Sequence, residues 1–199
     1  MSGPKYSSVV KYARLTFLVL WAVILVTAVG FYLSDPSRFT ASNIAAFITR
    51  FNTEIWLIYF VMSALRGFTL LPSTPLVLAG TIAFPSQPLG VLCVSLCGIV
   101  ISSSLIYFCS EVLGIHEYFA EHKPRLVRRI KRHLEHPLGV IFIGAWAFFP
   151  LVPTDLVCYL SGSTGVNYWK FILAVLVGET ILCSFYIYIG GSFVNFLHQ

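Results

Sequence analysis

Apolar residues run through this chain in blocks too long and too continuous for a half-buried surface element. Three of them, Leu15–Leu33, Leu89–Leu113 and Tyr168–Ile189, reach the roughly 20 residues a helix needs to cross a bilayer. Between these predicted spans lie two apolar segments that are interrupted, Glu54–Gly80 and Gly139–Gly162. The first carries Pro72-Ser73-Thr74-Pro75 and the second Pro150-Leu151-Val152-Pro153-Thr154-Asp155. In each, a proline pair sits in mid-segment with hydroxyl residues beside it, followed by an apolar run and a closing glycine, Gly80 or Gly162. Proline lacks the backbone donor and clashes with the preceding turn, so each pair breaks its helix. Broken backbone at membrane depth is tolerated only where it is buried or lines a cavity. Interrupted segments at matching places in two halves of a membrane protein point to a transport site.

Charge distribution turns this pattern into a topology. Lys5, Lys11 and Arg14 precede the first span, and Lys123, Arg125, Arg128, Arg129, Lys131 and Arg132 fall in one central loop. Basic clusters beside spans mark the cytoplasmic side, so an even number of crossings separates the two. The first two spans supply them, and Glu54–Gly80 must then enter and leave on the outer side. Lys170, just before the third span, gives Gly139–Gly162 the same behaviour from the cytoplasmic side. The predicted fold is therefore all-α and integral to the membrane. It has three full transmembrane helices plus two opposed, proline-broken re-entrant hairpins in an inverted repeat. Residues 1–53 form the N-terminal span and outer loop, 54–191 the transport core and 192–199 a short tail. The N-terminus and loop 114–138 are cytoplasmic. Within that loop Leu126, Ile130 and Leu134 recur every four residues and Arg125, Arg128, Arg129 and Arg132 occupy another face. This suits an amphipathic helix on an anionic leaflet, or equally a solvated linker helix.

Mean hydropathy of +0.83 and a charged fraction of only 11% agree with a membrane protein. The net charge of +5 is explained by topology and lipid contact, not by nucleic acid. Cys93, Cys97, Cys109, Cys158 and Cys183 all lie inside apolar runs without zinc or disulfide spacing, and are expected to be small buried thiols. His116, His122, His133 and His136 lack a metal-site spacing. No cofactor is expected. No nucleophile elbow, phosphate loop or dinucleotide fingerprint occurs, and no enzyme activity is expected.

The two arms, Leu71-Pro72-Ser73-Thr74-Pro75-Leu76-Val77-Leu78-Ala79-Gly80 and Phe149-Pro150-Leu151-Val152-Pro153-Thr154-Asp155-Leu156-Val157-Cys158-Tyr159-Leu160-Ser161-Gly162, resemble the paired proline-rich arms of the DedA/VTT-domain superfamily, also called SNARE-associated Golgi proteins. Gly178-Glu179 followed by Tyr186-Ile187-Tyr188-Ile189-Gly190 is similar to the closing helix of that family. The resemblance implies lipid transport. Bacterial members are associated with returning undecaprenyl phosphate across the membrane and with the proton gradient, and eukaryotic relatives are phospholipid scramblases. Two departures stand out. Ala147 occupies a position where many members have arginine, and no acidic residue closer than Glu54 lies near the first arm.

Three charges fall at membrane depth: Arg66, Asp155 and Glu179. A charge at the bilayer centre costs at least about 2.5–3.5 kcal/mol on insertion scales, so such residues pair or face a cavity. Arg66 suits a lipid phosphate through its planar fork, and Asp155 or Glu179 suits a proton. A static ion pair of Arg66 with either acid is the structural alternative. The expected function is a flippase or scramblase for anionic, phosphate-bearing lipids, with protons as a candidate coupling ion, acting alone or as a homo-oligomer. The site residues are Arg66, Pro72, Pro75, Pro150, Pro153, Asp155 and Glu179. A proton-coupled transporter of small solutes and a membrane assembly or trafficking factor are the alternatives. The expected location is a bacterial cytoplasmic membrane; an endomembrane would present the same pattern.

Overall fold

The computed structural model describes residues 8–68, 73–112, 125, 132, 134, 136–149 and 154–190. Every regular element among them is helical. Helix α1 (Ser8–Ser34) leads through a 3₁₀ turn (Pro36–Phe39) to α2 (Ala41–Ile48). Helix α3 (Ile55–Leu65) ends in a second 3₁₀ turn (Arg66–Phe68), and α4 (Ser73–Ala83) and α5 (Pro88–Val112) follow. The second half comprises α6 (Pro137–Phe148), α7 (Thr154–Thr164) and α8 (Tyr168–Phe185), which continues as a π-helical turn, Tyr186–Gly190.

Two stretches, Pro88–Ser110 and Tyr168–Gly190, are long and apolar enough to cross a membrane. The remaining predicted span falls within the 27-residue α1. By contrast α3, α4 and α7 have 11 residues each and α6 has 12. At 1.5 Å per residue these reach only about 17 Å, roughly half of a 30 Å hydrocarbon core.

Contacts fix the direction of each short helix. Gly90 of α5 lies against Trp56, Gly98 against Ser63 and Ser102 against Gly67, so α3 runs alongside α5 in the same direction. Tyr59 is bonded to Ser95 Oγ at 2.6 Å in the same register. Helix α4 then returns. Gly80 packs on the Tyr59 ring, and Phe84 stacks on Trp56 with centroids 3.7 Å apart. The end of α4 thus sits beside the start of α3, and this part of the chain doubles back on itself.

The second half repeats the arrangement. Gly144 lies against Ala174 and Gly178, and Ala147 against Gly178, so α6 runs along α8 in the same direction. Helix α7 returns: its first residue, Thr154, bonds to Glu179, well along α8, and its end joins the start of α8 through a short turn. That turn is a Schellman closure. Gly165 takes φ 63°, the Gly165 N–H donates to Gly162 O, and the Val166 N–H donates to Ser161 O. Asn167 caps α8 by accepting from the Trp169 and Lys170 N–H groups.

The halves are joined through α5. Gly162 of α7 packs on Tyr107 and Ser110, and the Tyr107 hydroxyl donates to Val166 O. Ser104 Oγ lies 2.9 Å from Tyr168 Oη, and the Tyr107 ring stacks on Phe171. The later part of α5 therefore meets the beginning of α8, so the two long helices are antiparallel. Each short pair follows its own long helix, so α3 and α6 run in opposite directions. Helix α1 flanks both halves, with Trp21 against Tyr159 of α7.

The core is built of residues such as Ile48, Tyr59, Ile99, Ile143, Phe171 and Val175, while Val23, Ile101, Leu173, Val177 and Ile181 are exposed, as on a lipid-facing surface. The expectation for the cysteines is corrected in part. Cys158 and Cys183 are buried, but Cys93 and Cys97 are exposed. They lie one helical turn apart on the outer face of α5, where an apolar run says nothing about which face a residue occupies. Of the basic loop, Arg125 and Arg132 are exposed and Leu134 is buried. Arg128 and Arg129 lie outside the described residues.

Candidate functional site

The site forms where the end of α3, the start of α7 and the middle of α8 come together. Arg66 is the C-terminal cap of α3, its backbone N–H bonded to Met62 O, and it is only 7% exposed. Asp155 is in the first turn of α7 and is 2% exposed. Both placements match the helix dipole, which favours a cation at a helix C-terminus and an anion at an N-terminus. Glu179 lies midway along α8 and is fully buried. The Arg66 guanidinium is close enough to interact electrostatically with both carboxylates. Three residues separated by up to 113 positions in sequence thus share one buried charge cluster.

Glu179 is held by α7. Thr154 Oγ1 donates to Glu179 Oε1 at 2.7 Å, and Cys183 Sγ lies 3.9 Å from Oε2. Thr154 O also accepts from the Cys158 thiol at 3.3 Å. On the first half, Thr74 Oγ1 reaches Tyr186 Oη at 3.5 Å, a long contact between the start of α4 and the π turn. π turns occur often at functional sites.

Ser102 lies against Gly67, the neighbour of Arg66, and Thr154 precedes Asp155. Ser102 and Ser103 of α5, Asp155 Oδ1 and Ser161 of α7 each bury an oxygen with no hydrogen-bond partner among the described residues. Sequence reasoning missed Thr154, Ser102, Ser103 and Ser161 as site residues. The run Ser102-Ser103-Ser104 in the middle of an apolar span was the available signal.

Of the prolines, Pro75 falls in the first turn of α4, where its missing N–H leaves no intrahelical bond unmade. Pro72, Pro150 and Pro153 lie outside the described residues, between the end of one short helix and the start of the next. Among the described residues no group of His, Cys, Asp and Glu is placed to hold a metal ion.

A cavity of about 520 Å³ opens beside the first break, and Arg66 and Pro75 belong to its lining. Asp155 and Glu179 do not line it. Of the three buried charges, Arg66 thus both joins the cluster and faces the cavity, which reaches the cluster from the Arg66 side.

The model of the VTT domain matches residues 71–192, well over half of the chain and including α4, α5 and the whole second half. No curated protein and no solved structure matches the chain. The chain belongs to the VTT-domain family, the family of the DedA and SNARE-associated proteins, and is a membrane protein of that family.

Proposed function

We propose that this VTT-domain protein moves phosphate-bearing lipids, such as polyprenyl phosphate or glycerophospholipids, between the two leaflets of its membrane. In this reading α1, α5 and α8 cross the bilayer. The α3–α4 pair enters from the outer face, and the α6–α7 pair from the cytoplasmic face together with the N-terminus and loop 114–138. The observation that carries the proposal is the meeting of two doubled-back helix pairs at a buried cluster of Arg66, Asp155 and Glu179. Helices of about 17 Å that return beside their own starting points suit re-entrant entry better than passage through a 30 Å core. A charged headgroup passes between the breaks, where Arg66 meets the phosphate and the free serine oxygens replace lost water, while the acyl or isoprenoid tails stay in lipid. Asp155 and Glu179 balance the Arg66 charge when no anion is present and exchange a proton as the anion arrives.

The test is reconstitution into vesicles carrying labelled glycerophospholipid or labelled polyprenyl phosphate, with and without a pH gradient. Arg66→Ala is expected to abolish headgroup translocation, and Arg66→Lys to restore part of it because the bidentate fork is lost. Full transport by correctly folded Arg66→Ala protein overturns the phosphate-reading role. If either single change destabilises the fold and the double change Arg66→Ala, Asp155→Ala recovers it, the pair is a structural tie. Transport of a soluble solute without lipid movement would replace the lipid reading with the proton-coupled alternative.

A further inference from the structure

The cavity beside the first break lies largely outside the region matched by the family model. Most of its walls come from the end of α1, the Pro36–Phe39 turn, α2, α3 and Arg66, all before residue 71, and Pro75 and Leu76 of α4 complete the lining. Phe31, Phe39, Phe47, Val61 and Leu65 make it apolar, and at about 520 Å³ it is of the size that holds a ligand. Phe31, Phe47, Val61 and Leu65 are each 40% exposed or more, so the cavity is open to the side of the bundle and not sealed within it.

An arginine stands at each end, each beside carboxylates. At the rim Arg38 lies over the Phe31 ring, 5.5 Å from the centroid, and its Nε donates to Asp35 Oδ2 at 2.7 Å. That bond uses one of the five guanidinium donors and fixes the side chain at the cavity mouth. Hydrogen bonds from Ser37 and Arg38 hold the Asp35 carboxyl below the usual carboxylate range, so the tether stays ionised through neutral pH. At the inner end is Arg66, the residue already placed in the charge cluster. An apolar slot open to the side, with a guanidinium at its mouth that keeps four donors beyond its Asp35 bond and a second guanidinium at its depth, complements a molecule with a long hydrocarbon chain and an anionic head that accepts hydrogen bonds.

We infer that this cavity is a lateral binding subsite for one chain of an anionic lipid, with its headgroup handed from Arg38 to Arg66. The inference rests on the lipid-transport reading above and names the point of entry. The α1–α2 region is then a working part of the site and not only a membrane anchor.

The experiment is photolabelling of the full-length protein in phosphatidylcholine vesicles, with phosphatidic acid carrying a diazirine at one chain end, followed by mass-spectrometric mapping. Labels are expected to concentrate on Phe39, Phe47, Val61 and Leu65. They should fall when Val61→Trp fills the slot and when unlabelled phosphatidic acid competes, and a diazirine diacylglycerol should label these residues much less. Labels spread evenly over exposed residues such as Val23, Ile101 and Val177 would show annular lipid only and overturn the subsite. Equal labelling by the uncharged lipid would overturn its charge selectivity. The wild-type map decides the matter even if Val61→Trp fails to fold. Retained cavity labelling in a protein that moves no lipid would keep the subsite and reject the transport reading, so the two failures are separable.

Discussion

Gly178→Ala tests how tightly the second helix pair is keyed to its long helix. A methyl group added at Gly178 would lie 2.3 Å from Gly144 O and 2.9 Å from Ala147 Cβ, where ordinary contact begins at 3.4 Å. The nearest obstacle is a backbone carbonyl, so no side-chain rotation relieves it, and α6 and α8 must move apart. Forcing extra volume into a packed interface costs about 1–3 kcal/mol, and close backbone approach at small residues is how membrane helices associate. For a chain of this size each kcal/mol shifts the midpoint by about 2–4 °C, so a fall of between roughly 2 and 12 °C is expected. Two other glycines calibrate it. Gly144→Ala meets Ala174 O at 3.3 Å and should cost less, whereas Gly30→Ala on α1 meets nothing within 4 Å. The last should raise stability by about 0.5–1 kcal/mol, because alanine loses less backbone entropy in a helix. The assay heats purified protein in detergent and follows the fraction that still elutes as a monodisperse species. The reasoning fails if Gly178→Ala melts at or above wild type, or if the three variants shift alike.

Further outcomes follow from the same contacts. Ser95 Oγ already donates to Val91 O at 2.7 Å, so Tyr59 is the donor in its 2.6 Å bond to Ser95; Tyr59→Phe should cost only about 1 kcal/mol and Tyr59→Ala about 3–5 kcal/mol, read by the same thermal assay. Glu179→Gln keeps an acceptor for Thr154 and should fold but lose proton coupling in vesicles, whereas Glu179→Ala strands the buried Thr154 hydroxyl and should lower stability by about 1–3 kcal/mol. In detergent a small apolar maleimide should label Cys93 and Cys97 and spare Cys158 and Cys183; labelling of the latter pair at the same rate would contradict the packing of α7 and α8. Single-cysteine accessibility should place positions 35–50 on one side of the membrane and Arg125 and Arg132 on the other, and finding them on the same side would refute the proposed topology.

Part of this arrangement is legible in the sequence itself. The proline pairs located both breaks, since proline removes a backbone donor and clashes with the preceding turn, and the short helices end or begin on either side of Pro72 and of Pro150–Pro153, with Pro75 taken into the first turn of α4. Arg66, Asp155 and Glu179 stood out because a charge in an apolar run must find a partner, and the fold brings these three together. What periodicity cannot supply is rotation about a helix axis. Spans that are apolar all round carry no facial signal, so Cys93 and Cys97 read the same as Cys158 and Cys183. The cavity was hidden for another reason: Phe31, Phe47 and Leu65 become neighbours only when α1, α2 and α3 assemble, and each alone is an ordinary apolar residue. The π turn at Tyr186–Gly190 leaves no mark in composition at all.

Helix α5 ends one half of the molecule and is also the surface on which the other half is laid down. Its residues Gly90 to Ser102 meet α3, and Tyr107 and Ser110 meet α7. During synthesis the first helix pair can therefore close as soon as α5 is made, while the second docks on a face already built. The angular offset between the stretch facing α3 and the stretch facing α7 is set by residue count alone. One residue inserted between Ser102 and Tyr107 would turn the later face by about 100° relative to the earlier one. Each half would keep its own doubled-back pair, and the two would no longer point their charges at each other.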